Sequence, residues 1–566
     1  MTTARLNAGY RARALQALRD EDFDVLVVGG GVVGAGAALD AASRGLSVAL
    51  VEARDWAAGT SSRSSKLIHG GLRYLEQRDF GLVREALKER GLLLNRLAPH
   101  LVRPVPFLLP LQHRVWERGY IGAGVLLYDT MGGARALPRH RHLSRTTALE
   151  HAPGLRPDAL TGAIQYFDAQ VDDARHTMTI ARTAAQHGAV ALTRTRVERY
   201  VRESGTVTGA VLRDLESGQE IVTRAKRVIN ATGVWTDEMH RAAGTDGPFS
   251  VRSSKGVHIL VPRERIDLAT GLILRTEKSV LFVIPWERHW IIGTTDTAWD
   301  HDKAHPAASG ADLDYLLERV NAVLREPLTR ADVEGIYAGL RPLLAGTDDD
   351  TARLSREHAV AEPVPGLTVV AGGKYTTYRV MAADAVDHAA AGLGRAVSPS
   401  LTDKLPLVGA VGYHEMWQHR DAVAQRFQVP VGVVEHLLGR YGSHASEVLA
   451  LVAEHAELAE PVPGAEGYRM AEVHYAVTHE GALHLEDVLT RRTRISIEDA
   501  DRGLTAAPEV ATLMGRLLGW DTERVHQEIT FYTERVHAER RAQETADDAT
   551  ANAARLAAPD PVAAAH

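Results

Sequence analysis

The chain has 566 residues, of which 45% are hydrophobic and 24% charged, so it can bury a substantial core and disorder is excluded for most of it. Its formal net charge of -7 argues against a protein that coats nucleic acid, and we expect no nucleic-acid partner. Because the chain has no cysteine, disulfides, thiolate nucleophiles and cysteine-bound metal centres are excluded.

Residues 1-22 predict an amphipathic N-terminal extension. Leu6, Tyr10, Ala14 and Leu18 stand near helical spacing with arginines between them, but the apolar core of a signal peptide is missing. Such a helix can pack on the protein itself or lie on a membrane surface. Elsewhere no apolar run approaches the ~18 residues of a membrane span, so the sequence predicts no transmembrane helix.

A strand-helix-strand unit follows the extension. Phe23 to Val28 has the pattern of a buried strand, the next stretch to Arg44 is helical, and Ser47 to Val51 is a second strand. Such a crossover implies parallel strands, and the later strands become denser in the middle of the chain, which predicts an α/β fold with an inserted β-rich domain. These later strand candidates are Ala189-Leu192, Val207-Leu212, Arg227-Asn230, His258-Val261, Val280-Ile284, His289-Ile292 and Thr368-Val370.

The turn between the first strand and helix carries a dinucleotide-binding pattern. Gly29 permits the tight turn, Gly31 lets the backbone approach a pyrophosphate, and Gly34 allows close packing of helix and strand. Glu52 ends the second strand, where a carboxylate can accept hydrogen bonds from a ribose. An acid at this position disfavours a 2'-phosphate, which leaves NAD or FAD.

Three further segments favour FAD. Thr60 to Tyr74 is rich in hydroxyl groups and contains a glycine pair, which suits a loop that follows a long ligand. Arg227 to Trp235 is a strand that ends in Ala-Thr-Gly, so the backbone can pass beside a nucleotide. Leu367 to Arg379 reads as a strand, a glycine turn and a helix start, and a helix N-terminus can stabilise the negative charge of a reduced flavin.

The last third of the chain changes character. Residues 399-538 predict a separate all-helical domain, and residues 539-566, which are rich in alanine and contain Pro559 and Pro561, predict a disordered tail. The helical segments are 412-428, 430-441, 443-456, 468-479, 507-519 and 521-538.

Seven short strings occur in order along the chain. They are TSSRSSKLIHGGLRYLE (60-76), VDDAR (171-175), GVHILV (256-261), IPW (284-286), IGTTD (292-296), GLRPL (339-343) and GGKYTTYR (372-379). Together they resemble the FAD-dependent, quinone-linked glycerol-3-phosphate dehydrogenases, within the D-amino-acid-oxidase-like group of flavoproteins. The resemblance covers residues 22-395, and HLEDVLTRRTR (484-494) is similar to the C-terminal domain of that family.

The resemblance implies a Rossmann-type FAD-binding domain over residues 23-398, interleaved with a β-rich substrate (cap) domain mainly at 100-170 and 245-345, and followed by the helical domain. It implies oxidation of sn-glycerol 3-phosphate to dihydroxyacetone phosphate, with electrons passed to a membrane quinone. We therefore expect a cytoplasmic protein in peripheral contact with the inner face of the plasma membrane, through the N-terminal helix or through Pro104 to Tyr128. The type of acceptor, oxygen included, a covalent FAD link and a homodimer remain open.

The resemblance also implies a substrate site. Carried over residue by residue, Arg73, Tyr74, Arg341 and Lys374 would form the pocket for phosphate and glycerol, although each cation could instead pair with a carboxylate. His258 is our candidate base, because a histidine with a pKa near 6.5 can accept a proton at neutral pH. A purely structural role for His258 remains open. The predicted catalytic set is His258, Arg341 and Lys374.

We predict no metal site, because the histidines near Glu480 miss the spacing of known zinc motifs. The residues predicted to contact FAD lie in the glycine turn, after the second strand, in the hydroxyl-rich loop and at three strand ends. They are Gly29, Gly30, Gly31, Val32, Val33, Gly34, Glu52, Ala53, Thr60, Ser61, Ser62, Ser65, Lys66, Leu67, His69, Gly70, Gly71, Leu72, Val197, Ala231, Thr232, Gly233, Trp235, Gly373, Lys374 and Thr376.

Two other functions are compatible with the sequence. An amine or amino-acid oxidase on the same fold would need cations for a carboxylate, and three cations exceed that need. A flavin-holding binding module without catalysis would use the helical domain as its partner surface. The presence of Arg341 and Lys374 argues against such a module.

Overall fold

The computed structural model describes residues 4-71, 79-113, 116-131, 137-276, 280-345 and 357-560. Most of the described strands belong to one of two large sheets. In chain order the described strands are β1 (Asp22-Val28), β2 (Val48-Val51), β3 (Leu67-Ile68), β4 (Val102-Leu111), β5 (Arg141-Ser144), β6 (Gly162-Val171), β7 (Val190-Leu192), β8 (Thr195-Glu203), β9 (Thr206-Asp214), β10 (Glu220-Asn230), β11 (Val251-Pro262), β12 (Gly271-Arg275), β13 (Val280-Trp286), β14 (His289-Gly293), β15 (Thr297-Ala298), β16 (Gly335-Leu344), β17 (His358-Val364), β18 (Leu367-Gly372), β19 (Pro461-Val462) and β20 (Ala465-Arg469).

The helices surround these sheets and form most of the C-terminal part. In chain order the described α-helices are α1 (Ala8-Asp20), α2 (Val32-Ser43), α3 (Phe80-Leu92), α4 (Trp116-Met131), α5 (Arg145-His151), α6 (Asp173-Gln186), α7 (Thr236-Ala242), α8 (Gly310-Asn321), α9 (Tyr378-Ala391), α10 (Tyr413-Gln418), α11 (Arg420-Phe427), α12 (Val431-Tyr441), α13 (Ala445-Glu454), α14 (Met470-Glu480), α15 (Ile495-Glu498), α16 (Ala507-Leu518), α17 (Thr522-Ala542) and α18 (Asp548-Leu556).

The first sheet has the strand order β17-β18-β10-β1-β2-β7, and β9 and β8 extend it from β10. Its centre is parallel, with β1 between β2 and β10. Six of the seven residues of β1 are buried, as expected for a central strand covered on both faces. Helix α2 forms the crossover to β2 and packs against α6 and α9. This is the Rossmann-type unit that the sequence predicts.

The second sheet has the order β15-β11-β14-β13-β12-β4-β6-β3, with β16 paired to β11 and β5 to β6. Its strands come from segments that lie between those of the first sheet, so the two sheets are interleaved along the chain. The predicted fold class, an α/β flavin-binding unit with an interleaved β-rich part and a helical C-terminal domain, is confirmed. A short hairpin of β19 and β20 is the described β structure within the helical part.

Two predictions for membrane contact change with this fold. Helix α1 buries Ala14 and Leu18 against the first sheet, and the Tyr10 hydroxyl bonds to strand β7, so the apolar face of α1 is used by the protein itself. In the second predicted stretch, Pro104 to Leu111 belong to strand β4, and the Phe107 side chain there is fully buried. Among the described residues of the two predicted membrane-contact stretches, only those of α4 include large apolar side chains that are exposed to solvent.

No helix among residues 4-560, within the described ranges, is long and apolar enough to cross a membrane. The exposed apolar side chains of α4 are those of Tyr120, which is 58% exposed, Leu126, which is 55% exposed, and Leu127.

The predicted disordered tail is wrong for residues 539-560. Helix α17 continues to Ala542, and α18 follows with Ala551 and Arg555 buried. Asp548 of this segment forms an ion pair with Lys255, and Asp560 forms one with Arg54. The small alanine side chains of this segment can bury little apolar surface. The segment is held instead by ion pairs with residues far away in sequence. Residues 561-566 lie outside the described residues.

Candidate active site

A cavity of about 1330 Å³ is lined by residues of both sheets. Ligand sites for drug-sized molecules usually measure about 300-1,000 Å³. The cavity therefore has room for a dinucleotide and a second molecule. Its walls include the glycine turn between β1 and α2, a polar region that contains His258, Arg341 and Lys374, and an apolar region near α4.

Two glycines of the turn, Gly29 and Gly34, leave no room for a side chain. A Cβ on Gly29 would lie 2.7 Å from the Ala231 carbonyl oxygen, and Gly29 itself has a φ of +110°. A Cβ on Gly34 would lie 1.9 Å from the Gly29 carbonyl oxygen, so Gly34 serves the packing of helix against strand. The Ser61 hydroxyl accepts a hydrogen bond of 2.9 Å from the Val32 amide in the first turn of α2. The N-terminus of α2 lines the cavity, a position that suits a pyrophosphate.

The Glu52 carboxylate lies beside this turn and lines the cavity. It accepts hydrogen bonds from the Gly30 amide at 2.6 Å and from the Arg54 amide at 2.8 Å. Burial raises the pKa of Glu52, while these two amides lower it. A ribose hydroxyl would add a further donor to this carboxylate. The glycine cradle and Glu52 together fit the adenosine and pyrophosphate of FAD.

Most residues predicted to contact FAD line the cavity. They are Gly29, Gly31, Val32, Val33, Glu52, Ala53, Thr60, Ser61, Ser65, Leu67, His69, Gly71, Val197, Ala231, Thr232, Gly233, Trp235, Gly373, Lys374 and Thr376.

Other members of that predicted set are not brought to the cavity wall, and each has another use. Gly30 packs under Trp56, Gly34 under the Gly29 carbonyl, and Gly70 against Leu87. The Ser62 carbonyl accepts a hydrogen bond of 3.1 Å from the Lys66 ammonium. The predicted cofactor residue Leu72 and the predicted substrate residues Arg73 and Tyr74 lie outside the described residues.

Lys66 departs most from its predicted role. Its side chain is fully buried, and its Nζ donates a hydrogen bond of 2.7 Å to Asp173 Oδ1. Burial lowers the pKa of Lys66, and the nearby Arg494 lowers it further while Asp173 opposes this. A lysine in a hydroxyl-rich loop resembles a phosphate ligand in sequence, but here its ammonium faces a buried carboxylate.

The imidazole of His258 lines the polar region of the cavity. Strand β11 places His258 opposite Gly293 of β14 and Tyr337 of β16. Its Nε2 is 2.8 Å from Ser65 Oγ, and its ring stacks on that of Tyr337 at a centroid distance of 4.8 Å. Burial, and then the charges of Arg341 and Lys66, hold the pKa of His258 well below its usual value. The imidazole is therefore neutral at physiological pH.

Arg341 lines the same cavity from strand β16. Its Nη2 donates to Thr294 Oγ1 at 2.8 Å and to the Thr295 carbonyl at 3.0 Å. Asp296 Oδ1 lies 3.5 Å from Nη1, so part of the charge is balanced by a carboxylate. A Cβ on Gly256 would lie 2.5 Å from Nη2, and the missing side chain is what makes room for the guanidinium.

Lys374 reaches the cavity from the other sheet. It follows β18 through Gly372 and Gly373, whose φ values are +77° and +74°, and it precedes the short turn that leads into α9. Gly373, Lys374 and Thr376 all line the cavity, so the start of this helical segment faces the cavity. The structure thus brings His258, Arg341 and Lys374 to one cavity.

Sequence reasoning missed several polar residues around this site. Thr294 and Asp296 fix Arg341, and both lie in the IGTTD string, to which no role was assigned. Asp173, which holds the loop beneath His258, lies in the VDDAR string. Tyr337 stacks on His258, and no signal in the sequence pointed to it.

The apolar region of the cavity wall is formed mainly by α3, α4 and strands of the second sheet. Because Tyr120 and Leu127 of α4 and Phe80 of α3 also contact solvent, this region reaches the protein surface. Its walls include Phe80, Leu109, Tyr120, Ile121, Leu127, Ile273, Val280 and Phe282.

Comparison with known proteins places the chain among flavoenzymes. Residues 24-416 match the family of FAD dependent oxidoreductases, and residues 400-525 match the C-terminal domain of alpha-glycerophosphate oxidase. The chain is 56% identical over 555 residues to a glycerol-3-phosphate dehydrogenase of Mycobacterium leprae (strain TN), which covers 98% of this chain and 95% of the relative.

More distant relatives are glycerol-3-phosphate dehydrogenases as well. The chain is 37% identical over 541 residues to the mitochondrial glycerol-3-phosphate dehydrogenase of Homo sapiens, which covers 92% of this chain and 74% of the relative. The X-ray structure of the glycerol-3-phosphate dehydrogenase from Bacillus halodurans complexed with FAD matches with a TM-score of 0.79 at 30% identity, over 94% of this chain and 98% of that chain.

Proposed function

Because the chain belongs to the FAD-dependent glycerol-3-phosphate dehydrogenase family, we propose that it oxidises sn-glycerol 3-phosphate to dihydroxyacetone phosphate with FAD as its cofactor. The observation that carries the proposal is the meeting of His258, Arg341 and Lys374 on a cavity that also contains a dinucleotide cradle. When bound, FAD takes a hydride equivalent from the alcohol carbon and passes two electrons to an acceptor.

The cradle residues would hold the cofactor. The N-terminus of α2 would bind the pyrophosphate, and Glu52, which lines the cavity, would bind the ribose of the adenosine. The helical segment that starts after Gly373 also lines the cavity, and its N-terminal end would stabilise negative charge on a reduced flavin.

The polar region of the cavity, with His258, Arg341 and Lys374, would hold the substrate. The guanidinium of Arg341 offers a planar fork to the phosphate oxygens, and the ammonium of Lys374 adds a compact charge. Burial and the neighbouring cations hold the pKa of His258 low, so its imidazole is neutral and keeps a nitrogen lone pair that can accept the hydroxyl proton. Arg73 and Tyr74 remain predictions for the same pocket.

The apolar region of the cavity supports a lipid-soluble quinone as electron acceptor. A quinone ring is flat and apolar, and the walls near Phe80, Tyr120, Leu127 and Phe282 offer it a matching surface. Because this apolar region opens beside the exposed face of α4, a quinone could enter it directly from a membrane surface. We therefore propose peripheral contact with the inner face of the plasma membrane through α4.

Anaerobic mixing tests the proposed reaction. Glycerol 3-phosphate should bleach the visible flavin band of the purified holoprotein, whereas glycerol, which lacks the phosphate, should not. Bleaching by an amino acid and not by glycerol 3-phosphate would contradict the proposal and support an amino-acid oxidase.

The acceptor is tested with the substrate-reduced protein. A short-chain quinone should restore the flavin band faster than air-saturated buffer, and a Tyr120→Ser/Leu127→Ser double variant should slow only the quinone reaction. Val411→Ser is the matched control, since Val411 is 73% exposed and belongs to the C-terminal half of the chain. Equal quinone rates in all three proteins would remove α4 from this role.

A further inference from the structure

The loop that carries Ser65 is held from below by one carboxylate. Asp173 Oδ2 accepts hydrogen bonds from the Ser64 amide at 2.9 Å and from the Ser64 hydroxyl at 2.7 Å. Asp173 Oδ1 accepts one from the Lys66 ammonium at 2.7 Å. Ser64 and Lys66 are the two chain neighbours of Ser65, so Asp173 binds the residues on both sides of the one that contacts His258, through the Ser64 amide and hydroxyl and through the Lys66 ammonium.

The backbone between these contacts is constrained. Lys66 has a φ of +57°, a left-handed conformation that residues other than glycine adopt only when their surroundings enforce it. Its ammonium lies 4.9 Å from the centroid of the Tyr337 ring. The Tyr337 hydroxyl in turn donates to the Ser64 carbonyl at 2.9 Å, and the same ring stacks on His258. The loop and the imidazole are thus fixed as one unit.

Asp173 is itself held by the helical domain. Arg494 forms an ion pair with Asp173 and donates to Asp172 Oδ1 from Nε at 3.0 Å and from Nη2 at 2.7 Å. Its Nη1 donates to the Ser62 carbonyl at 3.4 Å. Arg494 and Asp173 are both fully or almost fully buried, and removing one partner of such a pair leaves an uncompensated charge.

We propose that Arg494 of the helical domain is a positioning residue for the active site, which acts through Asp173 to fix Ser65 against His258. The inference rests on the proposed function, in which His258 accepts the substrate proton. It gives the helical domain a role in turnover in addition to its own packing. Arg494 itself does not line the cavity, so its effect must pass through the loop.

The test compares holoenzyme variants under anaerobic flavin reduction by glycerol 3-phosphate. Arg494→Lys keeps the charge but loses the planar fork, so Ser65 should shift and the reduction rate should fall roughly tenfold to a hundredfold, as small displacements at reacting groups do. The KM for glycerol 3-phosphate and the FAD content should change little. Arg502→Lys is the matched control, because Arg502 is buried and joins the helical domain to the Glu334 carbonyl without touching the loop.

The pH profile separates positioning from general damage. A loosened loop lets water reach His258 and moves the Lys66 ammonium, so the pKa of His258 should rise towards its usual value. The acidic limb of kcat/KM should then move to higher pH in Arg494→Lys and stay in place in Arg502→Lys. Trypsin should also cut faster after Arg63 or Lys66 in Arg494→Lys, a readout that needs no turnover.

A double-mutant cycle decides whether Arg494 acts through Ser65. Ser65→Ala alone should slow reduction, and Arg494→Lys/Ser65→Ala should be no slower than Ser65→Ala. Asp173→Asn, which keeps the Arg494-Asp172 pair, should reproduce Arg494→Lys.

Additive losses, or a wild-type rate and pH profile in Arg494→Lys, would overturn the proposal. Failure of the wild-type protein to be bleached by glycerol 3-phosphate would instead contradict the proposed function. These two failures are distinguished before any variant is made.

Discussion

Gly293 provides the space that His258 occupies. The two residues face each other across β11 and β14, and a Cβ built on Gly293 would lie 2.3 Å from the imidazole Cδ2. This approach is far inside van der Waals contact, so the position of the ring depends on the absence of a single methyl group.

Gly293→Ala should therefore displace His258 and slow flavin reduction by glycerol 3-phosphate at least tenfold. The added carbon should also lower the free energy of unfolding by about 1-3 kcal/mol, as overpacking of a filled core does. Gly432→Ala is the control, since nothing lies within 4 Å of a Cβ there. A wild-type reduction rate in Gly293→Ala would argue against a role for His258.

Arg341→Ala should raise the KM for glycerol 3-phosphate roughly a hundredfold, because a charge-assisted fork on the phosphate is lost. The FAD content should stay unchanged, since the cradle lies elsewhere in the cavity. Steady-state kinetics and the flavin absorbance of the purified protein measure both. Arg330→Ala is the control, because Arg330 pairs with Asp314 at the surface. An unchanged KM in Arg341→Ala would exclude Arg341 from the substrate pocket.

His484 links the helical domain to the first sheet through Glu216, and it also contacts Glu528. Burial alone would lower the pKa of His484, but these two carboxylates raise it to about 9. The folded protein therefore binds a proton that the unfolded chain releases near pH 6.5. The resulting stabilisation is complete below that pH and is lost as the pH rises through about 9.

We expect the melting temperature to fall between about pH 6.5 and 9, and to fall less in His484→Gln, which has no charge to lose. Thermal unfolding at several pH values checks this. His526→Gln is the control, because His526 is on the exposed surface of α17. Equal pH slopes in wild type and His484→Gln would contradict the assignment.

A chain ending at Gln543 should be less stable than the full chain. It would lose the Asp548 partner of buried Lys255 and the Asp560 partner of Arg54, together with the buried residues of α18. Arg54 lines the cavity beside Glu52, so the affinity for FAD should also fall. Thermal unfolding and FAD titration measure the two effects. A chain ending at Asp560 is the control, and equal melting temperatures would show that α18 contributes little.

Features fixed by local geometry could be predicted from the sequence. Gly29 and Gly34 are required by a tight turn and a close helix, and such requirements leave a pattern within a few residues. The dinucleotide-binding unit was accessible for this reason, whereas the family was predicted from the resemblance carried by seven strings along the chain. The comparisons and the structure confirm the family, the FAD cofactor and the fold class.

Features that depend on distant residues could not be predicted. Strand β4 contains Pro104, Pro106 and Pro110, which argue against a strand, yet it pairs along its whole length with β6. Lys66 and Asp173 are 107 positions apart, and Asp548 lies 293 positions from Lys255. A contact of this kind has no local signature, so the loop beneath His258 and the folded tail emerge only from the structure.

The docking of α1 also has a consequence for association between copies of the chain. Strand β7 is the last strand of the first sheet, and an uncovered edge strand can pair with a strand of another molecule. The Tyr10 hydroxyl accepts from the Ala191 amide at 2.9 Å and donates to the Ala189 carbonyl at 3.1 Å. By occupying these two groups, the N-terminal helix shields the sheet edge against aggregation.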